Sequence, residues 1–175
     1  SSEPNRANGA DKQNFSRHYP KRLAAEVLLD ALDRMTGAPT TFGSLPPGTR
    51  AVQLPDTGAT SYFLTVFGRP AMSSACECER SSDANLAQSL HLLNSSEMQS
   101  KLSAGTGRAA TLARDTKLPT EQKIRQLYLQ AFSREPADNE LAVAVAHLER
   151  SKEPQHALED IVWALVNSKE FLFNH

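Results

Sequence analysis

Apolar residues recur with helical spacing in several separated stretches of the chain. The first stretch, 20–36, opens on a proline, which favours a helix start, and it ends before Gly37 and Pro39, which favour a stop. Similar patterns predict helices over 83–94, 96–103, 120–134, 138–151 and 155–173, with a weaker one over 108–115. We therefore predict a mainly α fold, a helical bundle of five or six helices.

The stretch 38–82 has a different pattern, because proline and glycine interrupt it too often for a long helix. Two pieces within it, 50–54 and 62–67, carry β-branched and aromatic residues that favour strands. We predict a long irregular insertion, ordered by its aromatic residues, with at most a short two-stranded element within 50–68.

The periodicity also assigns residues to the inside and the outside of the bundle. On the first helix the charged residues are predicted to lie mostly on the wet side: Lys21, Glu26, Asp30, Asp33 and Arg34. Ser95 or Ser96 is predicted to cap the helix 96–103, and Thr120 the helix that follows it. The predicted core consists of Leu23, Val27, Leu28, Leu90, Leu93, Leu127, Phe132, Leu141, Val145, Ile161 and Leu165.

Length, charge and composition limit the classes of protein that remain. With 175 residues, the chain has room for a flexible or surface-draped arm over 1–19 and a single helical domain over 20–175. A net charge of −1 argues against a nucleic-acid binder, and no apolar run is long enough to span a membrane. Two cysteines are too few for a disulfide scaffold.

Five strings in a fixed order resemble a planctomycete family: FSRHYPKRLAAEVLLDAL, SYFLTVFGRP, CECERSSDANLAQSLHLLNSSE, LYLQAFSREPADNELAVAVAHL and ALVNSKEFLFNH. The strings resemble the C-terminal part of that family, a domain of unknown function found in large exported proteins. Such proteins often carry a companion uncharacterised domain and a cytochrome-c-like module. The resemblance covers roughly 15–175 and implies an extracytoplasmic setting and upstream domains as partners, but no activity. The chain departs from the family pattern near 138, where Glu140 is kept and a capping hydroxyl is replaced, so Asp138 is expected to cap that helix.

Recognisable catalytic motifs are absent from the sequence. A Cys-x-x-Cys-His motif is missing, so this chain does not attach its own c-type haem. The sequence leaves the cofactor unknown and assigns no metal ligands. Phosphate-binding glycine loops, His-Glu-x-x-His and Gly-x-Ser-x-Gly are missing as well.

One compact cluster carries chemistry: Cys76, Glu77, Cys78, Glu79 and Arg80. The two thiols are most simply interpreted as buried packing residues beside an ion-pair network. A strained redox-active disulfide and one edge of a zinc site are the alternatives. Because the cluster leads into a predicted helix start, where N–H groups favour an anion, it is the first-ranked candidate for ligand or partner binding.

A second, weaker candidate is the basic group around Arg17 and His18, which suits an anionic ligand but is more simply a solvated surface. His147 is predicted to face solvent, and Trp163 to belong to the core or an interface. Two classes of function therefore remain. The favoured one is a non-catalytic helical module that packs against a larger exported protein or binds a partner. The alternative is a redox or enzymatic component whose site around Cys76–Arg80 is completed by other domains.

Overall fold

A computed structural model of the chain describes residues 20–55, 61–69 and 95–174, together with Gly9 and Gln88. These residues form a mainly helical fold, as the apolar spacing predicts. The elements are β1 (Lys21–Arg22), α1 (Ala25–Thr36), a 3-10 turn (Ala51–Gln53), α2 (Tyr62–Val66), α3 (Ser96–Leu102), α4 (Arg108–Arg114), α5 (Thr120–Phe132), α6 (Asp138–Arg150), α7 (Pro154–Val166), α8 (Lys169–Leu172) and β2 (Phe173–Asn174). No helix among them is long and apolar enough to cross a bilayer.

Two helices, α1 and α7, supply much of the core. Leu28, Leu32, Leu158 and Val166 are at 0–1% exposure, and α4, α5 and α6 pack around them. Of the predicted core, four residues are buried: Leu28, Leu127, Ile161 and Leu165. Four more are half-buried against the core: Leu23, Phe132, Leu141 and Val145. Val27 was wrongly predicted, since 43% of it is exposed, while Leu90 and Leu93 lie outside the described residues.

The first and last helices have limits that differ from those predicted. The first helix begins at Ala25 rather than at 20, because Lys21–Arg22 pairs antiparallel with Phe173–Asn174. The last predicted helix, 155–173, ends at Val166. There the Asn167 side-chain amide donates to the Trp163 carbonyl (2.8 Å), and the Ser168 hydroxyl then caps α8.

The predicted strands of the insertion were wrong. Residues 62–66 form the helix α2, which Ser61 caps by accepting a hydrogen bond from the Leu64 N–H. Residues 51–53 form a 3-10 turn. Phe63 and Phe67 lie one helical turn apart, stack with ring centroids 4.2 Å apart, and are buried in the core. This packing overrides the strand preference of the individual residues.

Three carboxylates of α1 hold the segments that follow it, so their predicted exposure was wrong. The Asp30 carboxylate accepts hydrogen bonds from the backbone N–H groups of Ala51 (2.6 Å) and Val52 (3.3 Å). Glu26 forms an ion pair with Arg69 at 3.6 Å. The third carboxylate, that of Asp33, is paired with Lys101.

Asp33 forms a largely buried ion pair with Lys101 of α3. The Lys101 ammonium donates to Asp33 (2.5 Å), to the Thr40 hydroxyl (2.8 Å) and to the Ala38 carbonyl (3.0 Å). Asp33 also accepts from the Thr40 N–H at 2.7 Å. All three N–H groups of the ammonium are therefore used, and they join α1, α3 and the start of the insertion.

The C-terminal end of α1 rests on the start of α4. Gly37 ends the helix, as predicted, and its φ is 69°. A Cβ atom on Gly107 would lie 2.9 Å from the Ala104 carbonyl oxygen and 3.0 Å from that of Thr36, so this contact requires a glycine. The Arg108 guanidinium then donates to the Met35 carbonyl at 3.1 Å, which satisfies a free carbonyl at the end of α1.

Other helix starts were partly predicted. Ser95 caps α3, as expected, and accepts from the Met98 N–H at 3.1 Å. Thr120 is the first residue of α5 rather than its cap, because Pro119 occupies that position. The predicted arm 1–19 and the predicted helix 83–94 lie outside the described residues, apart from Gly9 and Gln88, and Gln88 is helical.

Candidate functional site

An open groove of about 620 Å³ lies between α6 and α7, with α5 beneath it. The joint 151–153 turns the chain back, so that the two helices run antiparallel and His147 on α6 meets Asp160 on α7. The groove is lined mainly by apolar atoms.

The floor of the groove is apolar and buried: Tyr128, Ala144, Ile161 and Leu165. Its sides are Val143, Trp163 and Ala164. The small side chains of Ala144 and Ala164 leave the space between the helices unfilled. Val143 is 73% exposed, a large apolar residue at the rim without cover from the described part of the chain. Such an exposed apolar concavity is typical of an interaction surface.

Polar side chains stand at the rim. The His147 Nε2 atom lies 3.1 Å from the Asp160 Oδ2 atom, and both side chains are exposed. Asn139 and Glu140 line the opposite end of the groove. A cavity of this size with an apolar floor and a few polar groups fits a docked segment or a ligand.

The Glu140 end of the groove is fixed by Arg134, which lies in the α5–α6 connection. Its guanidinium makes two hydrogen bonds to Glu170 (both 2.7 Å) and two to Glu140 (2.8 and 3.1 Å). It also lies over the rings of Tyr128 (5.7 Å) and Phe132 (5.3 Å). The network joins α5, α6 and α8, so this end of the groove is held rigid.

The network shifts the pKa values of its members. Hydrogen bonds from Arg134 and from the Ala137 N–H lower the pKa of Glu140. Hydrogen bonds to Glu170 and Glu140 raise the pKa of Arg134. Burial raises the pKa of the Tyr128 phenol, and the nearby Glu140 charge adds to this effect. At neutral pH, Glu140 is therefore ionised and Tyr128 is neutral.

The cap of α6 departs from the prediction. Ala137, rather than Asp138, is the N-cap residue, and Asp138 is the first residue of the helix. The Glu140 carboxylate accepts from the Ala137 N–H at 2.7 Å, which is the side-chain half of a capping box. The missing hydroxyl is therefore not replaced by another side chain at this helix start.

Glu140→Gln is expected to lower the free energy of unfolding at pH 7 by about 1 kcal/mol. Gln keeps an oxygen for the Ala137 N–H, so the change mainly removes the charge facing Arg134. Because the folded-state pKa of Glu140 is lowered, its contribution is present above the unfolded pKa and is lost as pH falls through the folded pKa. The difference between the two proteins should therefore shrink below about pH 4.

Urea unfolding of both proteins at several pH values checks this. Glu149→Gln on the exposed part of α6 is the control and should change stability little at any pH. A Glu140→Gln deficit that persisted unchanged into acid would contradict the assignment of that contribution to the carboxylate charge.

The sequence-predicted site residues fall outside the described part of the chain. This applies to Cys76, Glu77, Cys78, Glu79 and Arg80, and also to Arg17 and His18. Their proposed roles stay predictions. Within the described residues, no group of three or more His, Cys, Asp or Glu side chains is arranged to hold a metal ion.

The residues of the groove were only partly foreseen. Trp163 is half-buried against the core and faces the groove, and His147 is exposed, as predicted. The pairing of His147 with Asp160 was not predicted. Val143 interrupts the polar face of its helix, and this interruption is the sequence signal that could have indicated the groove.

Comparison with known proteins identifies the family. The model of the PSD1 family, described as protein of unknown function (DUF1553), matches residues 1–148. This chain therefore belongs to that family of proteins of unknown function. No curated protein and no solved structure matches the chain. The matched range ends within α6, so the groove lies between a matched helix and α7, which follows the match.

Proposed function

We propose that this chain is a non-catalytic helical module that docks a helical segment of a partner in the α6–α7 groove. The observation that carries the proposal is the open apolar floor beside Val143, which is 73% exposed. The partner is another domain of the same longer protein or a separate protein that works with it. Helices with an apolar face commonly bind in hydrophobic grooves of this kind.

The dimensions of the groove support a helix as the occupant. Glu140 and His147, which mark its polar ends on α6, are seven residues apart, a rise of about 10 Å or two helical turns. The small side chains of Ala144 and Ala164 allow a third backbone to approach closely. A docked helix would bury the exposed side of Val143 and complete a layer with α6 and α7.

The proposed setting is extracytoplasmic, with this chain as the C-terminal part of a larger exported protein. This part of the proposal is supported by the resemblance to a planctomycete domain of unknown function, whose proteins often carry a cytochrome-c-like module. On this account the module positions upstream domains, and it performs no chemistry itself.

A designed peptide tests the docking. The probe is a fluorescein-labelled helix of about 15 residues with leucine and alanine on one face and glutamine elsewhere, so that it carries no charged or aromatic side chain. We expect saturable binding by fluorescence anisotropy. Val143→Glu should weaken binding at least about tenfold, because a charge would be desolvated against the docked apolar face.

The matched control is Ala142→Glu, which adds the same charge at the neighbouring exposed position, outside the groove. It should bind the peptide like the unmodified protein. Circular dichroism of both variants verifies that the helices are intact. Equal loss in the two variants, or no saturable binding by the unmodified protein, would refute docking in the groove.

A further inference from the structure

We infer that the helix docked in the α6–α7 groove carries lysine or arginine beside its apolar face, at positions about seven residues apart. This inference rests on the proposed docking function and specifies the chemistry of the partner. It is carried by the charges at the two ends of the groove.

The charged side chains that line the groove are Glu140, His147 and Asp160. Lysine and arginine are absent from its lining within the described residues. Asp160 contacts His147 and is 67% exposed, so its carboxylate remains accessible to a partner. The Asp160 carboxylate therefore brings negative charge to this end of the groove.

The Glu140 end of the groove also carries a net negative charge. Arg134 contacts two carboxylates, those of Glu140 and Glu170, so this cluster retains one net negative charge. The cation is shared through four hydrogen bonds and is held over the Tyr128 and Phe132 rings. A partner therefore meets negative potential at both ends of an apolar floor.

The distance between the two acidic ends indicates where the cations of the docked helix should lie. The acidic ends are separated by about two helical turns, so two cations on one side of a docked helix match them when they are about seven residues apart. Complementary charges of this kind select the partner and its register more than they add affinity. A helix with acidic residues at these positions would be repelled from both ends.

Three peptides with the same apolar face test the inference. One carries glutamine at the two flanking positions, one carries lysine and one carries glutamate. At low salt we expect the lysine peptide to bind about tenfold more tightly than the glutamate peptide, with the glutamine peptide between them. The ratio should fall as salt is raised, because exposed charges are screened.

Asp160→Asn should reduce the ratio of the two affinities by about twofold to threefold, while Glu149→Gln, which removes a charge from α6 outside the groove, should leave it nearly unchanged. If the glutamine peptide binds and the charged peptides bind equally, or the glutamate peptide binds best, the inference is wrong and docking stands. If none of the three binds, the proposed docking function fails and the inference fails with it.

Discussion

Lys101→Met is expected to lower the free energy of unfolding by about 3–5 kcal/mol. Methionine has a similar length but no charge, so the variant leaves the Asp33 carboxylate largely buried without its cation. Lys101 and Asp33 are only 9% and 16% exposed, and the ammonium also serves the Thr40 hydroxyl and the Ala38 carbonyl. Removing one partner leaves the other charge buried and unpaired. This costs much more stability than replacing both residues with apolar ones.

Urea unfolding followed by circular dichroism measures this loss. Lys117→Met, at an exposed position after α4, removes the same charge and should change stability by about 0.5 kcal/mol or less. The double variant Asp33→Leu with Lys101→Met should recover part of the loss, because no charge is left unpaired. A Lys101→Met effect as small as that of the control would show that the contact does not hold α1 and α3 together.

Phe63→Ala is expected to have an effect of similar size, about 3–5 kcal/mol. Phe63 is 1% exposed and stacks on Phe67, so its removal leaves a cavity between α2 and α1 and deprives a second ring of its neighbour. The expected loss follows from the packing of the insertion against the core, which the sequence pattern alone did not place.

Thermal and urea unfolding of the variant measure the loss. Tyr62→Ala is the comparison, since Tyr62 is the preceding aromatic residue of the same short helix and is 69% exposed. It should cost about 1 kcal/mol or less. Similar losses for the two variants would contradict the orientation of α2, because only one of the two rings lies inside.

The helices of the second half were predictable because their signals are local. Ser95 caps α3, and the apolar spacing of α5, α6 and α7 is regular enough to identify them within a few residues. Gly37 likewise ends α1 where the sequence indicates, because a residue in the left-handed region is required there. Such signals act within one turn of the chain, so they can be recognised without a partner.

The contacts of the insertion were not predictable in the same way. Glu26, Asp30 and Asp33 have the spacing of a solvated helix face. The returning segments 38–55 and 61–69, together with Lys101 of α3, make that face an inner one. The pairing of residues 21–22 with residues 173–174 joins two segments that lie far apart in the sequence. Because each of these contacts is long-range, the local pattern predicts neither the burial of the three carboxylates nor the strand pairing.

The groove is also a product of tertiary packing. Val143 and Ala164 are unremarkable on their own helices, and they define a surface only when α6 and α7 lie side by side. The sequence directs attention to Cys76–Arg80 instead, because its chemistry is visible in one short string. Titration of the two thiols with and without reductant addresses that separate prediction.

The central claim, that the α6–α7 groove docks a helix, is tested most directly by the emission of Trp163. It is the only tryptophan in the chain, and it lines the groove. Binding of the glutamine-flanked peptide, which contains no aromatic residue, should shift the emission to shorter wavelength and protect the indole from acrylamide quenching. Unchanged emission and quenching at peptide concentrations that saturate the anisotropy signal would contradict the claim, because the peptide would then be bound elsewhere.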